Sequence, residues 1–323
     1  MVMPSTNGDA VASAIPTPGL ARGAFLYGSD ISHALAPVVH HTVWKLLNLP
    51  WRFTLLDSTD TSECLRHLAS PDCVGCSITM PNKLALIPHM DELTAEARAV
   101  GAINTVSVQT DPKTGRRRYI GTNTDIVGIR DALVNAFPAI LKDVEGRSAL
   151  VYGAGGAARA AIYALWRYLG IKTIFVVNRL HDEARTMMSS MTEAGVAVRF
   201  VLLESVQSLE TLVVDPIIAT GTAPDIVPSS ADERKAWNVV STVLERRSTR
   251  AFVLDMAYTP DPATTLIKLA RKFGWETVTG VDVVGFVCMA QDRLWCEQEI
   301  PNGAQNLVAG ELHRALRQRS GHT

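Results

Sequence analysis

The chain has 323 residues, is 47% hydrophobic and 20% charged, and carries 31 basic against 32 acidic side chains for a formal net charge of -1. That much apolar material builds a large core in one or two domains. The near balance of sign, without long runs of one charge, excludes a broad phosphate-binding face, so nucleic acid is not an expected partner.

No run of about 18 apolar residues is available to span a bilayer, and no membrane association is expected. The first twenty residues lack the charged start and continuous apolar block of a secretion signal, and their Ser, Pro, Gly and Ala content reads as a flexible tail over residues 1–20. The five cysteines are odd in number, which fits reduced thiols in a cytoplasmic protein. Cys73 and Cys76 form a CxxC without a second pair or a nearby histidine, so no metal site is expected.

In chain order, strands are predicted at Ala24 to Tyr27, Trp51 to Leu56 and Val74 to Thr79, with helices at Pro37 to Leu47 and Thr61 to Leu68. Ala102 to Val108 and Arg117 to Ile120 flank a turn-forming Thr-Asp-Pro-Lys-Thr-Gly and read as a hairpin. A helix from Asp125 to about Phe137 leads into a polar junction at Asp143 to Arg147. Beyond it, the strand Ala149 to Tyr152, the helix Ala157 to Leu169 and the strand Ile174 to Val177 make a βαβ unit. Later strands fall at Val198 to Leu202, Ile217 to Ala219, Phe252 to Leu254 and Thr277 to Thr279, with helices between. Two last helices, Val283 to Trp295 and Ala304 to Arg317, follow. This alternation predicts an α/β fold, and no solenoid repeat is present.

Gly153, Ala154, Gly155, Gly156, Ala157 and Ala158 follow that strand and open that helix, the context a dinucleotide loop requires. The first glycine allows a tight turn, the second admits the pyrophosphate, and free N–H groups at the helix start favour an anion. At the end of the next strand, Asn178 and Arg179 suit a 2′-phosphate, or Arg179 stacks on adenine, whereas Asp182 and Glu183 repel added negative charge. The expected cofactor is NAD(P), with a slight lean to NAD.

Several short motifs in order then resemble the shikimate/quinate dehydrogenase family, in particular its fungal quinate dehydrogenase branch. They are Gly28-Ser29-Asp30-Ile31-Ser32-His33 followed by Pro37 and His40; Ser77 to Lys83; Gly101-Ala102-Ile103-Asn104-Thr105; Gly121-Thr122-Asn123-Thr124-Asp125; Leu254-Asp255-Met256-Ala257-Tyr258; and Gly280 to Trp295. The resemblance implies a substrate domain from both chain ends (21–128 and 284–323), a Rossmann-type NAD(P)-binding domain between them (129–283), and a cleft where hydride passes between a ring carbinol and nicotinamide. It implies Lys83 and Asp125 as the catalytic pair, Thr79 and Asn104 on substrate hydroxyls, Tyr258 near the substrate carboxylate, and Thr220, Met256 and Gly280 beside the cofactor. The chemistry wants such a pair, because oxidising an alcohol requires removal of a proton as hydride leaves. Read alone, Asp125 is also a candidate N-cap for the helix it opens.

The sequence departs from the family pattern where the substrate carboxylate is bound. Ala34 and Ala36 stand at the two hydroxyl positions, and Val287 at the position of a helical glutamine. Each hydrogen bond lost to a charged group costs about 1.5–3 kcal/mol, so two weaken binding roughly a hundred-fold or more unless replaced. Ser29, Ser32, His33 and His40 are nearby candidate substitute donors, each read first as a structural residue; the simpler expectation is a cyclic alcohol or ketone less anionic than shikimate or quinate. A true quinate or shikimate dehydrogenase and a non-catalytic metabolite sensor are the competing readings. The expected partner is a small cyclic molecule, and the assembly a monomer or homodimer.

Overall fold

The computed structural model describes residues 22–320 apart from 213 and 247–249. The expected tail at residues 1–20 lies outside the described residues.

The first half contains β1 (Gly23–Gly28), α1 (Ala36–Leu46), β2 (Arg52–Asp57), α2 (Thr61–Leu68), β3 (Cys73–Ile78), β4 (Glu92–Leu93), α3 (Ala95–Val100), β5 (Thr105–Thr110) and β6 (Arg117–Thr122). Its strands form one six-stranded sheet in the order β2-β1-β3-β5-β6-β4. The sheet is mixed: β1 runs parallel to β2 and β3, while β5 is antiparallel to both β3 and β6. Alternation along β1 buries Ala24 and Leu26 on one face and Phe25 and Tyr27 on the other, so both faces carry a core.

The second half contains α4 (Asp125–Ala136), α5 (Ile140–Val144), β7 (Ser148–Tyr152), α6 (Gly156–Arg167), β8 (Thr173–Val177), α7 (His181–Glu193), β9 (Arg199–Leu202), β10 (Ile218–Gly221), α8 (Ala231–Glu245), β11 (Phe252–Asp255), α9 (Thr265–Lys272), β12 (Glu276–Val278), α10 (Gly280–Cys296) and α11 (Ala304–Ser320). The second sheet is wholly parallel in the order β12-β11-β10-β7-β8-β9, the doubly wound Rossmann arrangement. In such sheets ligands bind outside the carboxyl ends of the strands where the order reverses, which here lies between β7 and β10. Val151 and Val176 pack toward α6, and Leu150 and Phe175 toward α8 and α9.

Helices α4 and α10 pack on each other, and α10 and α11 both pack on α1. The close approach of α4 to α10 needs Gly128, since a Cβ there would run into Val287. A second close approach seats Trp295: its indole N–H donates to Val106 O at 3.0 Å and occupies the space beside Gly75. Removing a buried indole of this kind costs roughly 3–5 kcal/mol.

Several element limits differ from those predicted. The hairpin begins at Thr105 instead of Ala102, because Gly101 ends α3 in the left-handed region at φ 66° and residues 102–104 form the loop that follows. The polar junction near Asp143 holds α5 instead of a loop, since Ile140 and Val144 lie one turn apart and both are buried. Helix α10 starts at Gly280, three residues early, because Thr279 and Asp282 form a reciprocal capping box; that box also ends β12 before Thr279. Among the described residues no helix is long and apolar enough to cross a membrane.

Candidate active site

Lys83 follows the end of β3 and is held by its own backbone: its carbonyl accepts from Ile103 N at 2.9 Å, and the neighbouring Asn82 side chain donates to Ser58 O at 3.1 Å. Asp125 opens α4. The two side chains, only 12% and 7% exposed, meet as an ion pair between Lys83 Nζ and Asp125 Oδ2. The other carboxylate oxygen, Oδ1, accepts from Asn104 Nδ2 at 2.7 Å. Asn104 is oriented in turn, because its Oδ1 accepts from Thr124 N and from Thr105 Oγ1, both at 2.7 Å. The N-cap of α4 is Thr124 and not Asp125, whose oxygens are engaged by Lys83 and Asn104 instead of by backbone N–H groups of its own helix.

Gln291 extends this network and was missed from sequence. Fully buried on α10, it donates to Ser77 Oγ and Thr105 Oγ1, each at 2.9 Å. A hydrogen-bond chain thus runs from Gln291 through Thr105 and Asn104 to Asp125. The available signal was a glutamine inside an apolar helix, four residues before Trp295. Val287, one turn earlier, packs against Gly128 of α4.

The glycine turn lies beside the pair. A Cβ placed on Gly156 would sit 3.2 Å from Lys83 Cδ, so the start of α6 and the lysine stem are in contact across the two sheets. Gly153 has φ 124°, closed to most side chains, and its N–H donates to Val177 O at 2.8 Å. Gly155 is the N-cap of α6, no side chain caps the helix, and a Cβ on Gly155 would meet nothing within 4 Å. The first-turn N–H groups, with Ala154 and Ala157 presenting only methyls, are therefore open to an anion, which fits the diphosphate of a dinucleotide. Thr222 closes the turn from β10, its hydroxyl donating to Tyr152 O at 2.8 Å. It is Thr222 that faces Gly153; the expected Thr220 is wholly enclosed in the sheet. Met256 donates through its N–H to Gly221 O at 2.9 Å, and Gly280 fits tightly under the Met256 carbonyl.

At the far end of the crevice, Asn178 Nδ2 donates to Leu180 O and to Glu183, and Arg179 pairs with Glu233 of α8. Beside it a cavity of about 180 Å³ is lined by Tyr152, Asp225, Ile226, Trp237 and Asp255, among others. Burial pushes the Asp255 carboxyl up to about 6, against the opposing bonds from Thr264 and Ala257 N–H. A raised carboxyl makes the native state the tighter proton binder, so this group's stability contribution is present below pH 4 and is lost as the pH climbs toward about 6. The loss amounts to roughly 3 kcal/mol. Asp255→Asn is expected to lack it: the stability of the native chain relative to this variant, from denaturant midpoints, should fall by roughly that amount between pH 4 and pH 7. A constant difference would contradict the assignment.

The third group of residues surrounds the start of α1. Ala34, Ala36 and Val287 are all buried. Burial raises the pKa of the Tyr258 phenol, with the Leu35 backbone, between the two alanines, acting the other way. Arg319 reaches back from α11 and donates to His33 O at 2.7 Å and Ala34 O at 3.3 Å. His40 is not a pocket donor: it is fully buried, its Nδ1 lies 2.8 Å from Asp292 Oδ1, and its ring stacks on Phe53. Among the described residues, the side chains of Ser29, Ser32 and His33 make no hydrogen bond to this group. Thr79, half-buried at the end of β3, donates its N–H to Tyr27 O at 2.9 Å, and its methyl fills the space beside Gly28.

The cysteines are all buried. Burial holds Cys73 up at about 11 and also raises Cys76 well above the ordinary thiol value, so the CxxC thiols stay protonated. Among the described residues no group of three or more His, Cys, Asp or Glu side chains is arranged to hold a metal.

Comparison with known proteins places these features in context. Residues 26–106 match the shikimate dehydrogenase substrate binding domain. The quinate dehydrogenase of Emericella nidulans is 32% identical over 291 residues, covering 86% of this chain and 88% of that protein. Among solved structures, the shikimate 5-dehydrogenase of Thermus thermophilus, in complex with NADP(H) and shikimate, is 25% identical with a TM-score of 0.69 over 91% of this chain and 100% of that one. The quinate dehydrogenase of Corynebacterium glutamicum, in complex with NAD, shares the fold with a TM-score of 0.73 at 22% identity, over 91% of this chain and 99% of that one.

Proposed function

The chain belongs to the shikimate/quinate dehydrogenase family and is an NAD(P)-dependent oxidoreductase acting on CH–OH groups, and from that premise we propose that Lys83 and Asp125 form the proton-transfer pair for a cyclic alcohol or ketone. The observation that carries this is the contact of the glycine turn with Lys83, which sets the Lys83–Asp125 ion pair at the dinucleotide crevice.

A nicotinamide dinucleotide seated on Gly153 to Ala157 supplies the hydride acceptor or donor. In the oxidative direction the amine at Lys83 Nζ takes the hydroxyl proton, and in the reductive direction the ammonium returns it. Asp125 holds that nitrogen in place, and Asn104 fixes the carboxylate, with its second N–H left for a substrate hydroxyl. Thr79 and Tyr258 are proposed to border the same substrate. The lean to NAD rests on Asp182 and Glu183, which put negative charge in the first turn of α7 beside Asn178. We assign residues 21–128 and 284–323 to the substrate domain and 129–283 to the nucleotide domain, with boundaries inside α4 and α10, which pack on each other. A cytoplasmic location suits the buried, protonated thiols.

For the substrate, Ala34, Ala36 and Val287 favour a ring with fewer anionic groups than shikimate or quinate. Arg319 favours a second reading: its guanidinium lies on the His33 and Ala34 carbonyls, so a cation stands next to the two lost hydroxyl positions and replaces them for a carboxylate. One experiment tests both. Absorbance at 340 nm is followed with purified protein, NAD or NADP, and a panel of quinate, shikimate and neutral cyclic polyols and ketones. Turnover of neutral members alone is the expected result; saturable turnover of quinate or shikimate, lost in Arg319→Ala, establishes the second reading, and no turnover by any member removes the catalytic one.

A further inference from the structure

The Asn178-Arg179 pair at the end of β8 has the donors for a 2′-phosphate, yet both side chains are already engaged from within the chain. The Asn178 amide nitrogen donates to Leu180 O at 2.8 Å and to Glu183 Oε2 at 3.1 Å. Arg179 Nη1 donates to Glu233 Oε1 at 2.8 Å, from a helix 54 residues further along the chain. Glu233 is not a casual surface partner. Its other oxygen, Oε2, accepts from Ser229 N at 2.9 Å, Ser230 N at 3.0 Å and Ser229 Oγ at 3.0 Å. Its side chain is 12% exposed against 55% for Arg179, so the carboxylate is the fixed member and the guanidinium the one that adapts.

We propose that Glu233 is the residue that selects NAD over NADP, acting as a built-in anion that occupies Arg179. This rests on the reading of the crevice as a dinucleotide site and names the residue that sets its preference. Three physical steps support it. First, the bonds from Ser230 and Ser229, then Arg179, hold the Glu233 carboxyl down at about 2, so it is charged at any working pH. Second, a neutralised arginine offers a 2′-phosphate, which carries nearly two charges, no net attraction. Third, the phosphate has to displace Glu233 from Arg179 and then lie beside it, and like charges at hydrogen-bond distance repel strongly even near the surface. A ribose bearing a free 2′-hydroxyl meets neither cost, and its O–H finds a carboxylate acceptor.

The test is binding, read from nicotinamide fluorescence in titrations of the full chain with NADH and NADPH. Glu233→Gln keeps the oxygen that caps Ser229 and Ser230 while removing the charge, so α8 is retained. Its ratio of NADPH to NADH affinity is expected to rise at least about ten-fold over the native chain. Glu233→Ala, which keeps the Ser230 cap, is to give the same shift should the glutamine variant prove unstable. Adding Arg179→Ala to either is expected to return the ratio to within about two-fold of the native value, because the gain runs through the freed guanidinium. An unchanged ratio in both Glu233 variants overturns the inference, and so does a gain that survives removal of Arg179. Failure of the native chain to bind either dinucleotide overturns the underlying site assignment as well.

Discussion

Lys83→Met is expected to lower turnover by about 10²–10⁴-fold, the usual worth of a positioned acid–base group, while NADH affinity measured by fluorescence stays within about three-fold. Methionine preserves the stem volume that lies beside Gly156, so the glycine turn keeps its support. What disappears is the nitrogen that exchanges the proton. The variant leaves Asp125 with Asn104 as its remaining partner in a buried setting, so a loss of stability accompanies the loss of rate. Lys83→Arg distinguishes the two effects: it restores a cation for Asp125 but cannot give up its proton, so it is expected to recover stability and not turnover. A rate unaffected by Lys83→Met removes the lysine from the mechanism.

The second large effect is expected at Gly155. In Gly155→Asp the new side chain projects into open space, since nothing lies within 4 Å of its Cβ position and the backbone at φ -80° and ψ -169° is open to any residue. Aspartate is a good N-cap, so the fold gains a few tenths of a kcal/mol. The carboxylate then takes the N–H groups of α6 that the diphosphate requires, and it repels that diphosphate. Dinucleotide affinity is expected to drop by about 100-fold, with an unchanged or slightly higher melting temperature. Equal affinity in the variant would show that the turn does not receive the diphosphate.

The legible part of the site was the part written in local sequence. The strand, glycine turn and helix around Gly153 are contiguous, so the turn's geometry follows from residues within one βαβ unit. Lys83 and Asp125 lie 42 residues apart, and they were named together because of motif resemblance, not because any spacing brings them into contact. Partners drawn from distant elements carried no local signal. Gln291 meets Ser77 and Thr105 across more than 180 residues, Glu233 reaches Arg179 from α8, and Arg319 reaches His33 and Ala34 from α11. His40, read from sequence as structural before a pocket donor, is held in the core by a partner that no local signal announced, the buried Asp292 on α10.

The amino-acid order by itself determined the α/β class, the βαβ unit around the glycine turn and the anion-ready helix start, because periodicity, glycine placement and capping act over a few residues. Which carboxylate faces Lys83, which anion neutralises Arg179 and what lines the cleft beside Ala34 were decided only when α4, α8, α10 and α11 packed. Those pairings are set by close approaches, such as Gly128 under Val287 and Gly75 under Trp295, and a close approach is a property of two surfaces that no single segment contains.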